Sequence, residues 1–374
     1  MSLEMKIVLF KFPYIDPSFC VKLCGLAEKL EYDIEGIVSL DLEEKLTSIK
    51  NYPVRPLNEI LNLSWDAAVF ACDENVFEDI VPRMVEMGIG RREQFKNCFW
   101  FLQQLMIKKY EDFDDPAILE TIEYWKTHDL SVFNQHIPAE KGTGDRVFFD
   151  SECNLPFIYF KTVGGEYRKM YFPRDTNFCV RNGEKFVLNL MTEQLPTSPH
   201  LYIKNDHKIC AGDIVIDAGV CEGNFALRYI DLCSKMYLFE SDSKWIEPLS
   251  QTFKDYRDKV EIIPRFVSNV TDEKNITIDD ALPDFRGEKI FLKMDIEGAE
   301  PLALRGAKKI LTNNKVKASV CSYHNADDLL KIKSILQKYG FKTSTSDGWM
   351  VFIWDPKIFD TADFRKGIVY AENY

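Results

Sequence analysis

The sequence lacks any long apolar run. Its 374 residues contain only short ones, such as residues 67–72 and 98–102, whereas a membrane helix needs about 18 consecutive apolar residues. The few residues before the apolar segment 7–10 include a single lysine, which is not typical of a signal peptide. We therefore predict a cytoplasmic protein that does not span a membrane.

A surplus of basic residues is also missing. The chain has 59 acidic and 47 basic side chains, which gives a formal net charge of −12. Such a charge repels nucleic-acid phosphates and anionic lipid, and we predict no nucleic-acid partner. The ten cysteines include no CxxC pair, and Cys20 and Cys24 occur where a helix would bury both. Reduced thiols are therefore predicted rather than disulfides or a metal site.

The first half of the chain has no glycine where a nucleotide-binding unit would need one. Strands are predicted at residues 5–10, 34–40 and 67–72, and helices at residues 21–30 and 76–87. This alternation is typical of a small parallel α/β unit. Its first strand-to-helix turn, at residues 11–18, contains no glycine. We therefore predict a structural or partner-recognition role for this unit rather than nucleotide binding.

Two segments connect this unit to the second half. Residues 91–125 are rich in aromatic side chains at helical spacing, which indicates a helical core, and residues 146–190 have a strand-like pattern broken by glycine turns. At roughly 150 residues per domain, the length suits two domains or three. The predicted division is an N-terminal α/β domain with a helical segment at 1–135, a β-rich bridge or cap at 136–192, and a further domain at 193–374.

A glycine turn follows a buried strand in the second half. Residues 213–227 comprise this strand, a turn with Gly219 and Gly223, and an amphipathic helix. The spacing differs from the G-x-G-x-x-G pattern that binds a dinucleotide, which argues against a nicotinamide-dependent oxidoreductase. Asp217, two residues before the turn, would repel phosphate but suits a cationic ligand. S-adenosylmethionine, with its sulfonium and ammonium groups, is such a ligand.

The next strand also ends in an acid. Glu240 ends the strand at residues 235–240 and lies 23 residues after Asp217. A carboxylate at that position can accept hydrogen bonds from both hydroxyls of a ribose, as it does in dinucleotide folds. The alternative interpretation is an ordinary solvated loop acid. The glycine turn and the distal acid together favour a cofactor that contains a nucleoside.

Residues 290–307 contain the most specific pattern, a buried strand followed by Asp295, Glu297 and Glu300 and then by a helix. Within it, the sequence Lys-Met-Asp-Ile-Glu-Gly-Ala-Glu resembles that of the FkbM family of S-adenosylmethionine-dependent methyltransferases. Further matching segments are residues 217–223, 239–240, 278–280 and 323–324. The resemblance covers roughly residues 193–355.

The resemblance implies an α/β fold with a seven-stranded, Rossmann-like class I methyltransferase sheet, preceded here by the small Rossmann-like N-terminal domain and the β-rich bridge. It also implies that S-adenosyl-L-methionine binds at the carboxyl ends of the first two strands of that sheet. Methylation of a hydroxyl on a sugar or natural product is the activity that it implies. The predicted cofactor-binding residues are Asp217, Gly219, Cys221, Glu222, Gly223, Asn224, Glu240, Ser241 and Ser268.

A hydroxyl acceptor must lose its proton as the methyl group arrives, which requires a general base. The predicted catalytic residues are Asp295, Glu297 and His324, because ligands in open α/β folds bind at the carboxyl ends of the strands. His200 is a further candidate for the base. Asp295 and Glu297 could instead hold a divalent metal, but acids at this position also bind the free N–H groups of the next helix. We predict no metal.

The acceptor expected from the resemblance is a small-molecule or glycan hydroxyl, with a polyketide or peptide hydroxyl as the alternative. A rival from a different class is a non-catalytic scaffold with a degenerate methyltransferase fold. The intact acids and glycines at Asp217, Gly219, Gly223 and Glu240 argue against that rival. The oligomeric state stays open, and a homo-oligomer is compatible with the sequence.

Overall fold

The structure is a computed structural model that describes residues 5–41, 45–72, 74–132, 144–188 and 190–374. The chain divides into two compact units. The first is Met1–Ser131 with Pro356–Asp363, and the second is Val132–Asp355 with Phe364–Tyr374. The predicted boundary between residues 135 and 136 lies outside the described residues. The separation of 136–192 from 193–374 stays a prediction.

Strands and helices alternate along most of the described chain. The strands are β1 (Lys6–Lys11), β2 (Asp33–Ser39), β3 (Ser48–Ile49), β4 (Tyr52–Pro56), β5 (Ala67–Ala71), β6 (Phe95–Asn97), β7 (Gly144–Arg146), β8 (Phe148–Asp150), β9 (Leu155–Lys161), β10 (Tyr167–Tyr171), β11 (Cys179–Arg181), β12 (Glu184–Leu188), β13 (Ile214–Ala218), β14 (Lys235–Phe239), β15 (Val260–Ile263), β16 (Phe266–Val267), β17 (Asn275–Ile276), β18 (Lys289–Met294), β19 (Lys315–Cys321), β20 (Lys342–Thr345) and β21 (Ile368–Glu372). The α-helices are α1 (Pro17–Lys29), α2 (Glu74–Glu86), α3 (Phe99–Tyr110), α4 (Pro116–Trp125), α5 (Asn224–Tyr229), α6 (Ser243–Thr252), α7 (Ile278–Ala281), α8 (Glu300–Arg305), α9 (Lys308–Asn313), α10 (Asp328–Lys338) and α11 (Ile358–Thr361).

The first unit contains a six-stranded sheet with the order β3-β4-β2-β1-β5-β6. Neighbouring strands are parallel except for β3 and β4. Strands β1 and β5 are almost entirely apolar because both faces of a parallel sheet are covered, and their hydrophobic side chains are buried. Helix α1 follows β1 through a glycine-free turn, where the Asp16 carboxylate accepts the Ser18 N–H at 2.7 Å and Pro17 begins the helix.

One predicted helical segment begins differently in the structure. Residues 91–125 were expected to be helical, but Phe95–Asn97 form β6 and pair with β5. The ring of Phe95 is buried and lies 5.7 Å from that of Phe70, centroid to centroid. Pairing with the sheet edge and burial of Phe95 therefore outweigh the local helical pattern, and the prediction was wrong for these three residues.

The second unit is built around a seven-stranded sheet with the order β15-β14-β13-β18-β19-β21-β20. Strand β21 is antiparallel to both of its neighbours, and the other pairs are parallel. Successive side chains pack into separate cores, so Ile214 and Ile216 lie in one apolar cluster and Val215 in another. The predicted mixed α/β architecture is confirmed.

Two small antiparallel sheets precede the large sheet within this unit. Their strand orders are β10-β9-β8 and β11-β12-β7. They occupy the segment in which the sequence pattern predicted strands. Within the described ranges, no helix is both long enough and apolar enough to cross a membrane.

Strand register brings three loops of the second unit together. Ala218 at the end of β13 pairs with Phe239 at the end of β14 and with Met294 at the end of β18. Because these strands are parallel, the residues that follow them meet at one edge of the sheet. Two of those residues are Glu240 and Asp295.

Candidate active site

The turn after β13 is shaped by Gly219. Its backbone has φ of +80°, and a Cβ atom there would lie 1.7 Å from the carbonyl oxygen of Asp295. The Gly219 N–H donates to the Phe239 carbonyl at 3.0 Å, and the Asp295 N–H donates to the Ala218 carbonyl at 2.9 Å. A residue without a side chain is therefore required where the loops after β13 and β18 meet.

Asp217 lies beneath this turn and is fully buried. It is opposite Lys293 in the β13–β18 register, and one carboxylate oxygen lies 3.0 Å from the lysine Nζ. Burial raises the pKa of Asp217 to about 6, although Lys293 opposes the shift. The ammonium group also donates to the Gly219 carbonyl. The pair therefore supports the turn from below, and Asp217 does not line the cavity above it.

Glu240 is anchored through both carboxylate oxygens. Oε2 accepts the Cys221 N–H and Oε1 accepts the Asp242 N–H, each at 2.8 Å. These bonds tie the end of β14 to the glycine turn after β13. Each carboxylate oxygen has a further lone pair, so Glu240 can still accept hydrogen bonds from a ligand.

A cavity of about 560 Å³ opens at this edge of the sheet. The predicted site residues that line it are Gly219, Cys221, Glu222, Asn224, Glu240, Ser241, Asp295 and Glu297. Four others do not. Besides Asp217 these are Gly223, which precedes α5 in a left-handed conformation, Ser268, whose hydroxyl donates to the Asn269 side chain at 3.4 Å, and His324. The structure thus brings most of the predicted residues together.

Asp295 is the centre of a hydrogen-bond cluster at the end of β18. Its Oδ2 accepts the Tyr202 hydroxyl at 2.7 Å, and its Oδ1 accepts the Tyr323 hydroxyl at 3.2 Å. The Nε2 atom of His200 lies 3.5 Å from Oδ2. Burial alone would raise the pKa of Asp295, but His200 and Lys293 hold it well below its usual range. Asp295 is therefore ionised.

His200 is held between two acids. Its Nδ1 atom lies 3.1 Å from Glu193 Oε2, on the side of the ring away from Asp295. Burial opposes protonation of His200, yet Asp295 and Glu193 raise its pKa to about 9. The imidazole is therefore protonated at neutral pH, which makes it a partner for Asp295 and a poor general base.

His324 lies behind Asp295 and is 4% exposed. Its Nε2 atom is 3.4 Å from Asp295 Oδ1 and 3.6 Å from Glu297 Oε2, and its Nδ1 atom is 3.1 Å from Glu300 Oε1. Neither ring nitrogen makes a hydrogen bond of acceptable geometry. Burial would lower the pKa of His324, but Glu300 and the other two acids raise it. The imidazole therefore lies among three carboxylates, but neither of its nitrogens forms a hydrogen bond of acceptable geometry with them.

Two contributors were not assigned a role from the sequence. Tyr202 donates to Asp295, and Lys293 neutralises Asp217 and binds the Gly219 carbonyl. A signal for Lys293 was present, because a lysine within the apolar run of β18 needs a buried acid on a neighbouring strand. No comparable local signal marks Tyr202.

Residues 182–343 match the family model of the methyltransferase FkbM domain. The crystal structure of methyltransferase FkbM from Methylobacillus flagellatus KT is 16% identical, covers 98% of this chain and 90% of its own, and has a TM-score of 0.41. Aeropyrum pernix fibrillarin with natively bound S-adenosyl-L-methionine is 13% identical, covers 62% of this chain and 100% of its own, and has a TM-score of 0.31. No curated protein matches the chain.

The α/β sheet, the glycine turn and the acids at one sheet edge belong to a methyltransferase. More particularly, residues 182–343 are similar to the methyltransferase FkbM domain, which confirms the resemblance found in the sequence.

Proposed function

We propose that the protein is an S-adenosylmethionine-dependent O-methyltransferase that methylates a hydroxyl of a sugar or glycan. The observation that carries the proposal is the single cavity shared by the glycine turn, Glu240 and the Asp295 cluster. The cavity combines a sheet edge suited to a nucleoside with carboxylates that can accept a proton. We assign the large sheet to the class I, Rossmann-like arrangement, with 193–374 as the catalytic domain.

The lining of the cavity suits S-adenosylmethionine in charge and shape. Its acids outnumber its bases, which favours a cation. The acids are Glu193, Glu222, Glu240, Asp242, Asp295 and Glu297, and the bases are Lys244, Arg265 and Lys293. Glu240 would hold the ribose hydroxyls, and the backbone around Cys221 and Glu222 would follow the cofactor. Trp245 and Phe266 supply apolar walls for the adenine.

When bound, S-adenosylmethionine supplies a methyl group activated by its sulfonium. Gly219, Cys221 and Glu240 would hold this cofactor at the sheet edge, and its methyl group would pass to the acceptor oxygen with the electron pair of the carbon–sulfur bond left on sulfur. Asp295 and Glu297, which line the cavity, orient the acceptor and accept its hydroxyl proton, and the buried His324 acts on the acceptor only through Asp295. Ionised Asp295 is fixed for this task by the Tyr202 hydroxyl at 2.7 Å.

A glycan acceptor is proposed because the family resemblance implies methylation of a hydroxyl on a sugar or natural product. A cytoplasmic location fits the ten cysteines, all of which are free. The first unit is proposed to be a degenerate Rossmann-like domain with a structural or partner-binding role, in keeping with its glycine-free first turn.

Calorimetry with S-adenosylhomocysteine tests the cofactor assignment directly. The wild-type chain should bind it, and Glu240→Gln should weaken binding at least about tenfold, because a charged hydrogen-bond acceptor for the ribose is lost. Glu261→Gln, which changes an exposed acid on β15, is the matched control and should bind normally. Absence of binding by the wild-type chain would support the scaffold alternative. Methyl transfer from labelled cofactor to a panel of glycans then tests the acceptor class.

A further inference from the structure

We propose that a second cavity in the second unit binds a sugar that carries a phosphate or diphosphate group, and that this sugar is the methyl acceptor. The cavity has a volume of about 560 Å³, which is the size of a small-molecule site, and Asp295 is not part of its lining. The role of acceptor rests on the proposed function, whereas the binding of a phosphorylated sugar does not.

The second cavity adjoins the cofactor cavity. Gln194 and Asn224 line both of them. Consecutive residues of one segment also contribute to both, because Tyr202 lines the cofactor cavity whereas Leu201 and Ile203 line the second one. A ligand in the second cavity is therefore next to the site proposed for the cofactor.

The segment between the two cavities is held in place by hydrogen bonds to its backbone. The Ser319 hydroxyl donates to the Tyr202 carbonyl at 2.7 Å, and the Tyr370 hydroxyl donates to the Leu201 carbonyl. Both donors lie on strands of the large sheet, Ser319 on β19 and Tyr370 on β21. The wall of the second cavity is therefore preformed, as is usual for small-molecule sites.

Two cations in the lining, Lys204 and Arg228, have no carboxylate partner among the residues that the structure describes. The Lys204 Nζ atom lies 4.2 Å from the centroid of the Tyr370 ring, and its backbone exchanges hydrogen bonds with that of His207 at 3.1 and 2.7 Å. The Arg228 guanidinium donates to the Lys161 carbonyl at 3.4 Å. Both side chains keep N–H groups that can bind a ligand.

The charge balance of the second cavity favours an anion. Its described lining has one acid, Asp347, against the two bases, whereas acids outnumber bases in the cofactor cavity. Lysine and arginine are the usual partners of phosphate oxygens, and the planar arginine fork can bind two of them. Because the whole chain has a net charge of −12, a phosphate group needs such a local pair of cations.

Uncharged polar side chains in the same lining suit a sugar. They are those of Thr197, Asn205, Asn224 and Tyr229. Amide and hydroxyl groups donate and accept hydrogen bonds, as the hydroxyls of a sugar do. The cavity therefore offers a cationic pair for a phosphate together with hydrogen-bonding groups for a sugar, which is the combination that a phosphorylated sugar requires.

Calorimetry on the full chain, first without cofactor, tests this inference. The probes are glucose 1-phosphate and uridine diphosphate glucose, with glucose and inorganic phosphate as partial ligands. The tighter of the two phosphorylated sugars should bind at least about tenfold more tightly than either partial ligand, and its identity distinguishes a monophosphate from a diphosphate. Lys204→Gln and Arg228→Gln should each weaken this binding at least about tenfold, because each removes a charged hydrogen-bond donor.

Matched controls are Arg257→Gln and Lys338→Gln, which each remove one positive charge at an exposed position of the second unit. Both should bind the phosphorylated sugar normally, and circular dichroism reports whether each variant is folded. No binding of either phosphorylated sugar, equal affinity for inorganic phosphate, or unchanged affinity in both Lys204→Gln and Arg228→Gln overturns the inference.

A repeat of the titration with saturating S-adenosylhomocysteine distinguishes the two cavities. The affinity for the phosphorylated sugar should persist, and its loss would place that sugar in the cofactor cavity and overturn the inference. Methyl transfer from labelled cofactor to the tighter probe tests the acceptor role, which fails if the bound probe is not methylated. Cofactor binding without binding of a phosphorylated sugar leaves the proposed function intact, whereas the reverse result contradicts the proposed function alone.

Discussion

At the scale of single residues, the site depends on a close approach between two backbone segments. The turn after β13 and the end of β18 are in contact at Gly219 and Asp295, and no Cβ atom fits between them. This contact sets the distance between the glycine turn and the acid cluster. Replacement of the glycine should therefore disturb both stability and binding.

Gly219→Ala is expected to destabilise the fold by more than about 2 kcal/mol, because its Cβ atom would lie 1.7 Å from a carbonyl oxygen. The control is Gly287→Ala, whose φ of +74° is similar but whose Cβ atom would meet nothing within 4 Å. The control carries only the left-handed backbone penalty of about 1 kcal/mol. Urea denaturation of both variants measures the difference. Equal losses of unfolding free energy in the two variants would show that the close contact between Gly219 and Asp295 does not affect stability.

The pair of Asp217 and Lys293 shows what the sequence could and could not predict for the site. Sequence spacing placed Asp217 at the end of a strand and indicated a contact with a cationic cofactor. The structure instead pairs it with a lysine directly opposite in the register, so its charge is compensated before any ligand binds. Strand register is a non-local property, and the sequence alone did not show which residue faces Asp217.

At the scale of elements, the sequence predicted those strands whose signals lie within the strand and its own turn. The strands β13, β14 and β18 were predicted because each is a buried apolar run with its own turn signal. The short strands β3, β4 and β6 were not predicted, because they depend on hydrogen bonds to a neighbouring strand. A helix cap provided by a residue that is distant in sequence is likewise not predicted from the local pattern.

Asp279 and Asp280 lie in the first turn of α7, where acids usually stabilise the N-terminus of their own helix. The structure gives Asp279 a more distant role, because its carboxylate accepts the N–H groups of Lys309 and Ile310 in α9 at 2.8 and 3.0 Å. Asp279→Ala should therefore destabilise the fold by about 1 kcal/mol, as expected for loss of a helix cap. Chemical denaturation checks this, with Glu273→Ala at an exposed neighbouring position as the control. Identical midpoints in the two variants would refute the capping role.

At the scale of the whole molecule, the sequence predicts which residues meet at the sheet edge better than it predicts how deeply each one is buried. Parallel strands carry their following loops to one edge, so the meeting of Glu240 and Asp295 could be expected from the order of elements. The burial of His324 could not be expected from the order of elements. Its ring packs against Tyr323 and Phe352, with centroid distances of 4.2 and 5.3 Å, and the second of these residues lies beyond the family segment.

The free energy of unfolding should depend on pH through His207, which lies in the core of the second unit. Its Nε2 atom lies 3.1 Å from the Ser319 hydroxyl, and its ring packs against those of Phe291 and Tyr370. Burial lowers the pKa of His207 to about 4, and the nearby Lys317 and Lys204 act in the same direction. The imidazole is therefore neutral in the folded chain at pH values where it is already protonated in the unfolded chain.

Because the unfolded state binds this proton first, the associated stability is present above a pH of about 6.5 and is lost as the pH falls toward about 4. At a pH of about 5, the loss should approach about 2 kcal/mol relative to a pH of about 7.5. His207→Gln removes the titrating group while keeping a side chain that can reach Ser319. Urea denaturation of both proteins at several pH values measures the effect. The wild-type chain should lose its stability advantage over the variant on acidification, and parallel pH profiles would show that His207 has no part in the dependence.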